Sequence, residues 1–141
     1  LISNVRAVLV TDADCAALPP LLEYTDSTMT YRRRYLARPE MPTTFALLLT
    51  DASNPRSLAY QFETLGQHLA GLPGADGERP EQTHFEELMA LLVETDVFDL
   101  SKGGAARARL GARLEELLNN SCALSDLLTA SYFSHVPARV S

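Results

Sequence analysis

"AARARLGARLEELLNNSCALSDLLTASYF", residues 105–133, decides the fold. Positions 110, 114, 117, 121, 124, 128 and 131 hold Leu, Leu, Leu, Ser, Leu, Leu and Ser, an alternation of four and three that keeps returning to one face of an α-helix. From about Ala105 to Phe133 such a helix spans about 40 Å at 1.5 Å per residue. Its apolar stripe is a bundle seam, which other helices must cover.

The same period recurs upstream. A fourth helix is expected over about 81–95, with Phe85, Leu88, Met89 and Leu92 on one face. "LPGADGERP" precedes it as an exposed loop. In "SNPRS", Asn54 reads as a helix cap and Pro55 as the first helical residue, after which Leu58, Phe62, Leu65, Leu69 and Leu72 form a stripe. Pro19 and Pro20 suit the first turn of a second helix running to about Arg38, with Pro39 and Pro42 stopping it. Leu1, Val5, Val8 and Leu9 fall at helical spacing before "TDAD", like the last turns of a first helix, and "FALLL" is a short apolar stretch between helices. No alternating strand pattern, fixed-period repeat or low-complexity tract is present. The expectation is an all-α fold: one domain over 1–141, an antiparallel helical bundle of about five helices with one long C-terminal helix.

Composition narrows function mainly by exclusion. A chain of 141 residues with 46% hydrophobic content can bury a core, and its net charge of −6 argues against a nucleic-acid binder, which needs a basic footprint. Cys15 and Cys122 lie far apart with no metal-ligand spacing, so the reading is reduced thiols, a cytoplasmic setting and no metal. No apolar run approaches the roughly 20 residues of a membrane span. "LISNVRAVLV" is unlike a signal peptide and lacks a methionine, so Leu1 reads as an internal residue of something longer.

Against this acidic background "TMTYRRRYL", residues 28–36, stands out. On one continuous second helix with Leu21 at 0°, Arg32 falls near 20°, inside the apolar stripe, by the 100° advance per residue. It is then the constrained arginine of the three, either in a buried ion pair, led out past its neighbours, or holding an anion. Asp96, at the end of the fourth helix, is a candidate partner. Arg33 borders the stripe beside Asp26, and Arg34 is solvated. Arg56, in the first turn of its helix, pairs with Glu63 or a carboxylate from another helix, or else marks an anion site.

"TYRRRY", "NPRSLAYQFETL" and the terminal "YFSH" together resemble the C-terminal half of the bacterial alpha-E family, a helical domain of unknown function. The resemblance covers about Glu23 to His135 and makes the chain the C-terminal part of a larger domain. The family is named for a glutamate–arginine motif in its N-terminal half; this chain is expected to lack it, with "LISNVRAVLV" resembling the stretch that follows it. Its members are typically encoded beside, or fused to, a circularly permuted ATP-grasp protein, often near transglutaminase-like proteins. The resemblance therefore implies a peptide-ligating or peptide-modifying system with that ATP-grasp protein as partner. Residue by residue, it marks Thr30, Tyr31, Arg32, Arg33, Arg34 and Tyr35, then Asn54, Pro55, Arg56 and Ser57, without assigning them chemistry.

Other constellations are weak. Glu81 and His84 form an E-x-x-H pair, but a di-iron bundle needs a second pair and two more glutamates, so a solvated helix start is preferred to a metal site. No glycine-rich phosphate loop or nucleophile elbow is present, and Gly103-Gly104 reads as a turn. No catalytic residue, metal or cofactor is assigned. Three functions compete: a non-catalytic docking module whose Tyr31, Arg32, Arg33, Tyr35, Asn54 and Arg56 meet an acidic partner; an enzyme subunit binding an anionic substrate through Arg32, Arg33 and Arg56; and a structural bundle that forms homo-oligomers.

Overall fold

The computed structural model describes residues 1–11, 16–73, 79–97 and 103–133. Within them the chain forms seven α-helices: α1 (Ile2–Thr11), α2 (Leu18–Tyr24), α3 (Thr28–Tyr35), α4 (Met41–Phe45), α5 (Leu58–Ala70), α6 (Pro80–Val93) and α7 (Gly104–Leu128). Two π-helical turns, Ala46–Thr50 and Thr129–Phe133, extend α4 and α7. The all-α bundle and its long last helix are as expected, but seven helices replace about five. No strand occurs among the described residues.

α7 is the spine. Leu110, Leu114, Leu117 and Leu124 are buried, each removing from water a side chain whose burial stabilises by about 1.5–3 kcal/mol. α1 and α6 flank it. Both run antiparallel to it: Arg6 meets Glu115 while Leu9, further along α1, meets Gly111; His84 meets Asn120 while Glu94, further along α6, meets Arg113. The predicted seam fades at its end, because Ser121 and Leu128 are half-buried and Ser131 is exposed. The π-turn at Thr129–Phe133 takes the chain out of α-helical register there.

The expected stripes bury as read on α5 (Leu58, Phe62, Leu69) and α6 (Phe85, Leu88, Leu92), with Leu65, Leu72 and Met89 half-buried. Gly66 lets these two helices close up, since a Cβ there would lie 2.7 Å from Phe85 Cζ. "FALLL" is the centre of the core: Phe45, Leu47, Leu48 and Leu49 are fully buried, apolar on every side.

The second helix is not continuous. α2 ends in a Schellman cap, with Ser27 N–H on the Leu22 carbonyl at 2.8 Å and Asp26 N–H on that of Glu23 at 3.0 Å. Asp26 takes the left-handed position that closes this motif (φ 52°), a conformation its short polar side chain tolerates. Thr25 Oγ1 also turns back onto the Leu21 carbonyl at 2.9 Å. The chain therefore restarts as α3 with a new rotational phase. An angle carried across from Leu21 no longer applies.

Candidate functional site

The new phase sorts the residues of "TYRRRY". Tyr31 is the buried one, at 2% exposure, with Tyr35 half-buried beside it and their ring centroids 4.7 Å apart. The Tyr31 hydroxyl accepts from Glu40 N–H at 3.2 Å, donates to the Arg38 carbonyl at 3.2 Å and shares a 2.6 Å bond with Thr43 Oγ1. It thereby fastens the connection from α3 to α4. Its role is structural.

Arg34 is the tethered arginine. Its guanidinium bridges to the Asp51 carboxylate and donates to Ser53 Oγ at 2.8 Å. Asp51 is largely enclosed, its side chain 16% exposed, and its other oxygen accepts from Ser53 N–H at 2.9 Å and Ser53 Oγ at 2.6 Å. On the other side Arg56 reaches back to Asp26 Oδ2 at 3.1 Å. Each motif thus supplies an arginine to the aspartate in the turn before the other motif. This reciprocal clasp holds α3 against the turn that leads into α5.

That turn is itself rigid. Asn54 is buried, its amide donating to the Leu47 carbonyl at 3.0 Å and its Oδ1 accepting from Arg56 N–H at 3.1 Å. The helix cap is Ser57, whose Oγ accepts from Tyr60 N–H at 3.1 Å and donates to the Asp51 carbonyl at 2.6 Å. The expected cap at Asn54 and first helical residue at Pro55 give way to a turn because the Asn54 side chain bonds its own neighbourhood instead.

Arg32 is exposed and outside the core, contrary to the continuous-helix reading, and forms no buried pair with Asp96. Arg33 is exposed too, and Asp26, its expected neighbour, is held by Arg56, which leaves Glu63 unused. Among the described residues neither the Arg32 nor the Arg33 guanidinium has an ionic or hydrogen-bonding partner. Arg32 and Arg33 share one face of α3 with Met29, 60% exposed, by the i, i+3, i+4 rule, and Leu36, 88% exposed, follows them at the C-terminal end of the helix. Leu36 ends the helix in the left-handed region (φ 49°), uncommon for so bulky a residue. Sequence reading missed this face because the continuous-helix phase placed Arg32 inside the apolar stripe.

Glu81 and His84 are no metal pair. The Tyr132 hydroxyl donates to Glu81 Oε1 at 2.8 Å, and His84 Nε2 lies 3.0 Å from the Asn120 carbonyl, so both tie α6 to the last helix. Nor are they a solvated helix start, since Glu81 is buried. Its own backbone N–H and the Tyr132 hydroxyl lower the Glu81 pKa against the opposing effect of burial, while the Glu81 carboxylate raises that of Tyr132. Among the described residues no group of three or more His, Cys, Asp or Glu could hold a metal, and no helix is long and apolar enough to cross a membrane. An open apolar groove of about 300 Å³, walled by Phe62, Leu65, Leu88, Leu124, Leu128 and Phe133, lies at the far end of α7. The "YFSH" motif is described only as far as Phe133, and His135 lies outside the described residues.

A Glu-Arg dipeptide does occur once in the chain, at Glu78-Arg79, of which Glu78 lies outside the described residues. An uncharacterised protein of Mycobacterium bovis, and one from each of two strains of Mycobacterium tuberculosis, are 33% identical to the chain over 139 residues. The matches cover 93% of this chain and 16% of the relatives, so the chain spans about a sixth of their length. No solved structure matches it. A family model matches residues 2–133, and the chain belongs to the alpha-E family, described as a predicted alpha-helical domain with a conserved ER motif.

Proposed function

We propose that this segment is a non-catalytic docking module of an ATP-grasp-linked system that ligates or modifies peptides, and that it meets its partner through α3. One observation carries the reading: Arg32 and Arg33 are exposed and without partners among the described residues, between exposed Met29 and Leu36, while Arg34 and Arg56 are engaged by aspartates. Two free guanidiniums between apolar shoulders suit a protein surface, where arginine contributes both charge and contact area. The partner class comes from the family resemblance: a circularly permuted ATP-grasp protein encoded beside or fused to the family's members. The setting is the cytoplasm, where the exposed Cys122 thiol stays reduced. In the enzyme alternative Arg56 would first have to leave Asp26.

Copurification of the full-length protein with that ATP-grasp neighbour tests the reading. Co-elution that is lost in R32A/R33A and kept in R34A supports it. Failure to co-elute, or co-elution indifferent to R32A/R33A, contradicts it. The groove around Phe133 favours a second reading, self-association, for which light scattering of wild type and F133S is the test: a dimer that F133S dissociates.

A further inference from the structure

We propose that the α3 face of Met29, Arg32, Arg33 and Leu36 receives an acidic amphipathic helix of the partner protein, its carboxylates against the two guanidiniums and an apolar side chain at each end. This rests on the docking reading and names the chemistry of what docks. Met29 and Leu36 are seven residues apart, about 10.5 Å along the axis, and the arginines occupy the third and fourth positions between them. Two turns of a second helix present the same rows, so apolar residues seven apart with carboxylates at the intervening third and fourth positions match the surface position for position.

Three further observations select this occupant. A phosphate backbone or free anion would use the guanidiniums but not the apolar shoulders. A second copy of this chain fits less well: on α6, Glu86 accepts from Gln82 at 3.4 Å, Glu87 lies 3.9 Å from His84 and Glu94, just past its end, lies 3.4 Å from Arg113; on α7, Glu115 and Glu116 pair with Arg6 and Arg113; and α5 offers Glu63 alone rather than an adjacent pair. The face is also preorganised. Buried Tyr31 and the Arg34–Asp51 bridge anchor α3 from its other sides, so little ordering is left for binding to supply. Leu36 is held in a left-handed conformation with 88% of its surface in water, an arrangement that packing within the chain does not explain.

The probe is a labelled synthetic helical peptide with Leu residues seven apart and Glu at the third and fourth positions between them, titrated into the full-length protein by fluorescence anisotropy. A control peptide carries Lys in place of Glu. The acidic peptide should bind with an affinity that weakens as salt rises. R32E/R33E and M29S/L36S should each lower that affinity about tenfold or more, with circular dichroism unchanged, while R34A lowers the melting temperature and moves the affinity far less. R32E/R33E should instead favour the Lys peptide. Equal binding of both peptides by the wild type, or affinities untouched by R32E/R33E and by M29S/L36S, would overturn the proposal. So would concentration-dependent self-association that R32E/R33E abolishes, which would make a second copy the occupant. Co-elution with the ATP-grasp neighbour, measured on the same variants, separates the two levels. If it depends on Arg32 and Arg33 while the peptides do not discriminate, the docking reading stands and the helix assignment fails.

Discussion

Consecutive arginines at 32, 33 and 34 point 100° apart on a helix, so one buried neighbour, Tyr31, suffices to sort them. Arg34 lands beside Asp51 and Ser53, whereas Arg32 and Arg33 land in solvent. The bridge is partly exposed, which discounts its Coulomb energy, but Arg34→Ala leaves a largely enclosed carboxylate without its cation. Arg34→Ala should therefore lose about 1 kcal/mol, while Arg32→Ala stays within about 0.5 kcal/mol. Urea midpoints check both, and the reverse order would restore the continuous-helix phase. Leu36 makes an opposite case. Its left-handed backbone is one that glycine adopts freely, so Leu36→Gly should raise stability by about 0.5–1 kcal/mol while removing one apolar shoulder of the docking face. At this scale the sequence singled out the arginine run but misassigned the surroundings of its members, because residue phase depends on a helix break that "YTDST" signals only through Thr25 and Asp26.

Among the elements, legibility followed the length of the hydrophobic period. α5, α6 and α7 were readable from their stripes, each anchored by several buried leucines or phenylalanines. The short elements were not: α2, α3 and α4 have 7, 8 and 5 residues, too few for periodicity to separate a helix from a turn. Close approach of α5 and α6 yields a prediction against helix propensity. Alanine normally favours a helix over glycine by about 1 kcal/mol, yet Gly66→Ala places a Cβ 2.7 Å from the Phe85 ring and should destabilise, a loss that Phe85→Leu relieves in the double variant. Thermal melts of the three variants decide it. A stabilised single variant would mean that Phe85 moves aside freely.

The Glu81–Tyr132 bond joins the start of α6 to the last π-turn and carries a pH signature. Glu81's pKa is lowered below its ordinary 4.5, so its contribution is present above that value and is lost as pH falls through the folded-state pKa. Tyr132's is raised above 10.0, so its contribution holds below that value and is lost as pH rises through the folded-state pKa. Tyr132→Phe should thus be less stable than wild type by a constant amount from about pH 6 to 8, and the gap should shrink below 4.5. Chemical denaturation across pH reads this directly. A gap that persists undiminished into acid would assign the tyrosine's effect to packing.

For the whole molecule, the acidic all-α bundle could be read from composition and the α7 seam, whereas the exposed face of α3 could not. That face follows from the helix break after α2 and the burial of Tyr31, with the Arg34–Asp51 bridge on another side of α3. The chain amounts to 16% of the length of its mycobacterial relatives, so its surfaces are to be tested in the full-length protein. The most direct measurement is hydroxyl-radical footprinting of the full-length protein alone and with the proposed ATP-grasp partner, because Met29 is both exposed and readily oxidised. Docking through α3 predicts that oxidation at Met29 and Leu36 falls on addition of the partner, while Phe133 in the apolar groove and half-buried Met89 keep their rates. Protection of Phe133 with Met29 and Leu36 unchanged would place the interface in the groove and contradict it.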